Sequence, residues 1–354
     1  MSDREIMLVG SVPLKPASAV FDCVCRHHMT ANMRRLPDGE QAGWASGMTR
    51  HANNPALESF TSLPVTTRST TFFDHPMPLF RLKPGHVASD VAIAPLGVLD
   101  SALNSYQEFK AFKAQGKFAP ETRFVVTLAG PGTSFGTVLM PTHDLFPIIA
   151  KAFKQEIRQV LDRIPHADLA IQLDLAGEVE IEEYRRRPRD FDLPIFERTQ
   201  DIWPFEGSTD LVADIAAVIP DDVELGFHLC ALWHIDQSQG QDLNVHVDWA
   251  NTLSRKITRP IQYIHMPTTF DYTEQDFAPL QRLTLKPGTR LFLGVVHAED
   301  GAEGARRRVS AARKIYPDFG VAAFCGLAQP SREEYRHAHS VDEIMDMHVA
   351  AAKA

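Results

Sequence analysis

Short apolar segments alternate with amphipathic helical segments over most of this 354-residue chain. Apolar runs of strand length that alternate with helical periodicity are typical of parallel strands joined by crossover helices. The strand-like segments are residues 6–12, 33–40, 123–130, 167–176, 223–233, 261–266, 291–297 and 321–326. Eight strand–helix units predict a single-domain (β/α)₈ TIM barrel of the α/β class. An open doubly wound sheet is the alternative, but no G-x-G-x-x-G follows the first strand.

Residues 41–118 interrupt the alternation. Proline, threonine, serine and asparagine recur there, and FFDHPMPLFRLKPG has no clean period. We interpret this span as an insertion after the second strand, lid-like and with short elements of its own, although so long a loop is uncommon in a compact domain.

Charge and cysteine usage narrow the class of partners. The net charge is −9, and no long basic run is present, so nucleic acid and anionic membranes are poor partners. No apolar stretch approaches the roughly 20 residues of a membrane span. Four cysteines without a secretory signal predict reduced thiols in the cytoplasm. We therefore expect small-molecule partners and leave an oligomer open.

A His-x-Cys pair lies inside one of the apolar segments, VELGFHLCALW. On a strand, His228 and Cys230 point to the same face, and Cys325 lies in another strand-like run, FGVAAFCGLA. One histidine and two cysteines are zinc-type ligands. The alternative is a hydrogen-bonded core histidine with two buried thiols, because free cysteine is common in cores.

Polar side chains recur where the predicted strands end, and chemistry in a barrel of this kind sits at those carboxyl ends. These positions are Gly10-Ser11, Asp38 and Glu40, Gly130-Pro131, Asp174, His228 and Cys230, His265, His297 and Cys325. Buried polar groups are costly unless they are partnered, so their convergence indicates one functional site.

Five motifs at these ends carry a resemblance to a known family. VGSVPL, LAGPGT, IQLD, FHLC and FCGL occur in the order seen in the barrel of cobalamin-independent methionine synthase. The wider superfamily includes coenzyme M methyl- and alkyl-transferases and uroporphyrinogen decarboxylase. RRLPDGE near the start is similar to uncharacterised stand-alone bacterial members.

The resemblance implies a zinc ion that binds a substrate thiol as thiolate. It places His228, Cys230 and Cys325 at three zinc-ligand positions. Asp174 would hold the amino group of an amino-acid thiol, and Gly10-Ser11 would line that pocket.

The chain departs from the family at the fourth ligand. A glutamate is expected near Ile264–Thr268, but IHMPT has no carboxylate, so His265 is either a ligand or a lining residue. The Glu-Pro of a Q-I-D-E-P-type strand end and the folate-stacking residues are also missing. We therefore expect a zinc-dependent methyl- or alkyl-transferase that does not perform folate-dependent methionine synthesis.

Two other functions remain open at this point. A lyase or decarboxylase on the same barrel would use Asp38, Asp174 and His297 to move protons, since the ordinary histidine pKa of about 6.5 allows either role. His297 could instead partner a ligand, and Asp38 and Glu40 could contact substrate or cap the turn at Gly39. The second open function is that of a non-catalytic barrel that binds a thiol or a metallocofactor.

The CVCRHH segment at residues 23–28 has a metal-like composition. Positions two apart on a helix do not face each other, so we interpret the segment as a mixture of core and surface residues.

Overall fold

The computed structural model describes residues 3–39, 50–63, 77–136, 138–186, 203–230, 242–327 and 340–354. Its strands are β1 Ile6–Met7, β2 Arg35–Pro37, β3 Leu57–Leu63, β4 Met77–Leu82, β5 Arg123–Ala129, β6 Leu169–Asp174, β7 Glu224–His228, β8 Tyr263–Pro267, β9 Arg290–Val296 and β10 Gly320–Ala323. Its α-helices are α1 Ala17–Arg26, α2 Leu99–Ala114, α3 Pro131–Phe135, α4 Thr142–Leu161, α5 Ala176–Arg186, α6 Phe205–Ala216, α7 Leu243–Lys256, α8 Gly301–Ile315 and α9 Val341–Ala352.

Eight parallel strands form one sheet in the order β1-β10-β9-β8-β7-β6-β5-β2. The two ends of this order, β1 and β2, meet at the seam of a nearly closed barrel. Arg35 of β2 reaches across the interior to an ion pair with Glu5, at 3.2 Å, and to a second with Glu224 of β7. The predicted (β/α)₈ TIM barrel is confirmed.

The inward side chains of β6, β7 and β8 lie in two layers because these strands are in register. The lower layer is Gln172, Gly226 and Tyr263, and the layer above it is Asp174, His228 and His265. A Cβ on Gly226 would lie 2.0 Å from the Tyr263 ring, so glycine is required there. The Tyr263 hydroxyl donates a hydrogen bond to Gln172 at 3.0 Å. The lower layer is therefore filled, and the upper layer lies nearer the mouth.

The helices cover the outside of the barrel with their apolar faces. Helix α4 shows the pattern clearly, since its buried residues recur every three or four positions: Leu145, Ile149, Phe153, Ile157 and Val160. Among the helices of the described residues, none is long and apolar enough to cross a membrane.

Part of the 41–118 span belongs to the barrel wall. Helix α2 lies between β2 and β5 in the chain, and its Phe109 packs against Phe21 of α1, with ring centroids 5.9 Å apart. The Tyr106 hydroxyl of α2 donates to Asp168, just before β6, at 2.7 Å. The antiparallel β3–β4 hairpin precedes α2. The span thus supplies a crossover helix in addition to the hairpin.

Candidate metal centre

Three potential ligands converge at the mouth of the barrel. His228 ends β7, Cys230 follows two residues later, and Cys325 lies just beyond β10; all three are buried. His228 Nε2 is 3.4 Å from Cys325 Sγ, and the two sulfur atoms are 3.6 Å apart. The three donor atoms all lie within 4.8 Å of one another. The structure therefore brings together the residues that the sequence predicts as zinc ligands.

These separations match the edges of a tetrahedral zinc site. With bonds of about 2.3 Å to sulfur and about 2.0–2.1 Å to nitrogen, tetrahedral angles place two sulfurs about 3.8 Å apart and nitrogen and sulfur about 3.6 Å apart. The observed 3.6 Å and 3.4 Å are within a few tenths of an ångström of these values. Two edges of the donor group therefore match a zinc tetrahedron, and the third is within 4.8 Å, so the residues present fit the ion.

His265 lies behind His228, where it controls the position of the His228 proton. Its Nε2 is 3.0 Å from the carbonyl oxygen of Ala323, and its Nδ1 is 2.7 Å from His228 Nδ1. Burial lowers the pKa of His265 to about 3 and the pKa of His228 well below its ordinary value, so both rings are neutral near pH 7. The hydrogen bonds then assign the tautomers: His265 Nε2–H donates to Ala323, and His228 Nδ1–H donates to His265.

This arrangement leaves the lone pair of His228 Nε2 on the side of Cys325 Sγ. His265 has both nitrogens in other hydrogen bonds and lies outside the group of three donor atoms. A histidine ligand whose second nitrogen is held by a hydrogen-bond partner is the usual arrangement in metal sites.

The surroundings of the Cys230 thiol favour its neutral form. Burial raises the pKa of the Cys230 thiol well above its ordinary value, and the neighbouring Cys325, Asp174 and Glu180 raise it further. A metal ion would supply the charge that stabilises a thiolate, so metal binding at this site would release protons.

Asp174 is in register with His228, one strand away. Its Oδ1 accepts a hydrogen bond of 2.8 Å from Gln172, which also donates to the carbonyl oxygen of Val9 at 2.8 Å. The carboxylate is buried at 8% exposure, and its charge reaches Cys230. Gln172 was not predicted from the sequence, although it lies two positions before Asp174 on the same strand face and could have been found from that alternation.

The Gly10-Ser11 turn lies beside the last strand. A Cβ built on Gly326 would be 3.1 Å from Ser11 Cβ and 3.2 Å from the Gly10 carbonyl oxygen. Gly326 directly follows Cys325. The predicted pocket residues are therefore adjacent to a predicted ligand.

His297 is separated from the sulfur atoms by one aromatic ring. Its imidazole stacks on Phe324, with centroids 5.2 Å apart and an interplanar angle of 16°. Phe324 packs in turn against Cys230 and Cys325. His297 Nε2 donates to the carbonyl oxygen of Gly294 at 3.0 Å, which fixes the ring. His297 is thus near the site without being among the three donors.

The remaining predicted site residues lie on the segment after β2. Asp38 is half-buried, and a Cβ on Gly39 would lie 2.3 Å from the Leu14 carbonyl oxygen, so this turn packs tightly on the segment after β1. Glu40 lies outside the described residues.

Glu178 is a buried carboxyl that sequence reasoning missed. It accepts a 2.6 Å hydrogen bond from the Gly132 N–H, and a Cβ on Gly132 would lie 2.8 Å from its Cδ. Burial raises the pKa of Glu178 to about 7. Glu178 holds the GPGTSF turn after β5. The glycines of that turn were the sequence signal that another group packs closely against its backbone.

Comparison with known proteins identifies the fold. No protein-family model matches the chain, and no curated protein sequence matches it. A crystal structure from Listeria monocytogenes, provisionally assigned as a vitamin-B12-independent methionine synthase, is similar with a TM-score of 0.51 and 14% identity, covering 94% of this chain and 86% of that one. A B12-independent methionine synthase from Shewanella sp. W3-18-1, in complex with selenomethionine, is similar with a TM-score of 0.53 and 11% identity, covering 99% and 95%.

Proposed function

We propose that this protein is a zinc-dependent transferase that moves a methyl or alkyl group onto the sulfur of a small thiol substrate. The observation that carries the proposal is the convergence of one nitrogen and two sulfur donors, with Cys325 Sγ 3.4 Å from His228 Nε2 and 3.6 Å from Cys230 Sγ. When bound, zinc would bind the substrate sulfur and favour its nucleophilic thiolate form. Because the site depends on reduced thiols, we also infer that the protein works in the cytoplasm.

His228, Cys230 and Cys325, called the triad below, would hold the ion and leave room for substrate. His228, Cys230 and Cys325 supply three protein ligands, which is the number typical of catalytic zinc sites that keep one position open. His265 holds His228 in the tautomer that binds metal, through the 2.7 Å contact between their Nδ1 atoms. We therefore assign His265 an orienting role in place of a fourth ligand.

Asp174 would bind a cationic group of the substrate. Its carboxylate is buried beside the triad, in register with His228, and a buried negative charge attracts a cation strongly because the protein interior screens it less than water does. An ammonium group of an amino-acid thiol would neutralise that charge while its sulfur lies at the metal position. Gly10 and Ser11, beside Cys325, would line the same pocket.

His297 would exchange a proton with the alkyl donor. The hydrogen bond from Nε2 to Gly294 fixes its tautomer, so proton exchange would occur at Nδ1. Stacking on Phe324 keeps the ring at the edge of the site.

The ligand charge argues against methyltetrahydrofolate as the donor. Two thiolates and a neutral histidine give a ligand charge of −2, whereas an added carboxylate would give −3. β8 places His265 in the segment where the resemblance implies that carboxylate. A bound thiolate would then be less nucleophilic, which favours activated alkyl donors over a tertiary methylamine.

Metal analysis tests the site. We expect Cys230→Ser and Cys325→Ser each to lose about one zinc per chain relative to wild type, because each removes a tetrahedral ligand. Cys25→Ser is the matched control, since Cys25 is half-buried in α1 and is not one of the three candidate ligands. Full zinc retention in both ligand variants would refute the proposed centre.

Turnover tests the reaction. With zinc bound, homocysteine as the probe thiol and an activated methyl donor such as a methylsulfonium should give a methylated thiol, whereas methyltetrahydrofolate should not. Steady formation of methionine from methyltetrahydrofolate would contradict the argument from ligand charge. Zinc and thiol binding without turnover of either donor would favour a non-catalytic thiol-binding barrel.

A further inference from the structure

A second group of potential ligands lies between the first and last helices, outside the barrel. Cys23 lies in the last turn of α1, and His27 caps the end of that helix four residues later, where its backbone N–H donates to the Cys23 carbonyl oxygen at 3.1 Å, so the two residues lie one above the other. Asp342, in the first turn of α9, meets them there: its Oδ1 is 2.7 Å from His27 Nε2 and 3.7 Å from Cys23 Sγ. One donor atom from each residue lies within 4.8 Å of the other two.

A carboxylate also lies behind the histidine. Asp346 is one turn beyond Asp342 on α9, and its Oδ1 is 2.8 Å from His27 Nδ1. A carboxylate on the far nitrogen is the arrangement that orients histidine ligands and raises their basicity. The site thus has both its donor atoms and the group that aims one of them.

We propose that Cys23, His27 and Asp342 form a second metal site, selective for a borderline-soft divalent cation such as zinc. A sulfur, an imidazole nitrogen and a carboxylate oxygen favour zinc or cobalt over magnesium or calcium. Cys23 is buried, whereas the side chains of His27 and Asp342 are 12% and 51% exposed, so a hydrated ion can approach from solvent. Water would complete the coordination.

The charges balance when the metal replaces protons. Both ring nitrogens of His27 face carboxylate oxygens, Nε2 that of Asp342 and Nδ1 that of Asp346. Cys23 is then a neutral thiol, because burial and the nearby Asp342 raise its pKa to about 11. A divalent cation would displace the proton of Cys23, and its two positive charges would be balanced by the Cys23 thiolate and the Asp342 carboxylate. Arg26 can therefore keep its 2.8 Å ion pair with Asp342.

The binding experiment uses the full chain with the mouth ligands removed. In a Cys230→Ser/Cys325→Ser background we expect about one Co²⁺ per chain, with the near-ultraviolet absorption of a cobalt–thiolate bond. A further Cys23→Ser should abolish that band, whereas Cys25→Ser, on the same helix, should leave it intact. Asp342→Asn, at an exposed position, should weaken Co²⁺ binding at least about tenfold without affecting folding.

Proton release gives an independent readout. At least one proton, that of the Cys23 thiol, should be released per metal ion at neutral pH, measured with an indicator dye. Absence of a cobalt–thiolate band in the background variant, or its persistence after Cys23→Ser, would overturn the proposal. Because these measurements use chains that lack the mouth thiols, their outcome is separate from that of the proposed transferase activity.

Discussion

Replacing His265 by leucine should weaken zinc binding at the mouth about 10- to 100-fold, although His265 is not one of the three donors. In the metal-bound state, His228 Nε2 must carry a lone pair, so the ring proton is on Nδ1. That proton is donated to His265 Nδ1 at 2.7 Å, in a site with essentially no solvent exposure. With leucine at position 265, the buried Nδ1–H has no acceptor there.

The free-energy cost of the unsatisfied His228 N–H arises only in the metal-bound state. Without metal, the His228 proton can move to Nε2 and donate to Cys325 Sγ, 3.4 Å away, which relieves the loss. With metal bound to Nε2, the proton cannot move to that nitrogen. A buried donor without a partner costs about 1–3 kcal/mol. Since tenfold in affinity corresponds to about 1.4 kcal/mol, the cost agrees with a 10- to 100-fold effect.

The assay is competition for zinc with a chromophoric chelator, in a Cys23→Ser background so that the α1–α9 site does not contribute. His265→Asn should recover most of the affinity, because its amide oxygen can accept from His228. His348→Leu is the matched control: His348 is also fully buried and donates to a backbone oxygen, that of Ile344 at 2.8 Å. It should lose stability without a change in zinc affinity.

Wild-type zinc affinity in a folded His265→Leu protein would refute this reasoning. It would show that the His228 tautomer is set by something other than His265. Equal losses in His265→Leu and His265→Asn would instead assign the effect to packing around the ring.

Two further predictions concern charged groups at the mouth. Asp174→Asn should raise the KM for an amino-acid thiol at least about tenfold, because the carboxylate would no longer bind the ammonium group. Zinc content should stay unchanged, because Asp174 is not one of the three metal ligands. Zinc loss with an intact fold would show that Asp174 belongs to the metal centre. Metal-free protein should lose stability as pH falls from about 6.5 toward about 3, because burial lowers the folded-state pKa of His265 and His228 while the unfolded chain takes up protons. The free energy of unfolding, measured with urea at several pH values, should fall less steeply with decreasing pH in His265→Leu than in wild type, by about 1.4 kcal/mol per pH unit. The same pH dependence in both proteins would contradict this.

The barrel was predictable because its signals are local. Strand-length apolar runs and helical spacing appear within a few residues of each other, and all eight predicted barrel strands are present. Helix α2 was not predicted, because α2 lies in a span rich in turn-forming residues and its own apolar pattern is weak. Its helical state depends on packing against Phe21 of α1 and on the bond from Tyr106 to Asp168, which are contacts between distant parts of the chain.

The proximity of the residues at the mouth was predictable from the sequence, but their hydrogen-bond partners were not. Strand alternation and strand ends are enough to place His228, Cys230 and Asp174 on one side of the sheet. Whether His265 binds metal or His228 depends on register and on which nitrogen reaches Ala323, which the sequence does not encode locally.

The α1 segment shows how the choice of spacing decides what a motif predicts. As a Cys-x-Cys pair on a helix, CVCRHH has no metal geometry, and Cys25 indeed lies outside the cluster. The pair that shares a face is Cys23 and His27, four residues apart. The third donor, Asp342, lies more than 300 residues away in the chain and contacts them only in the folded protein. The interpretation of the segment as mixed core and surface described the exposure of its residues. It could not include the α9 carboxylate that makes these two side chains candidate ligands, because only the tertiary fold joins the two helices.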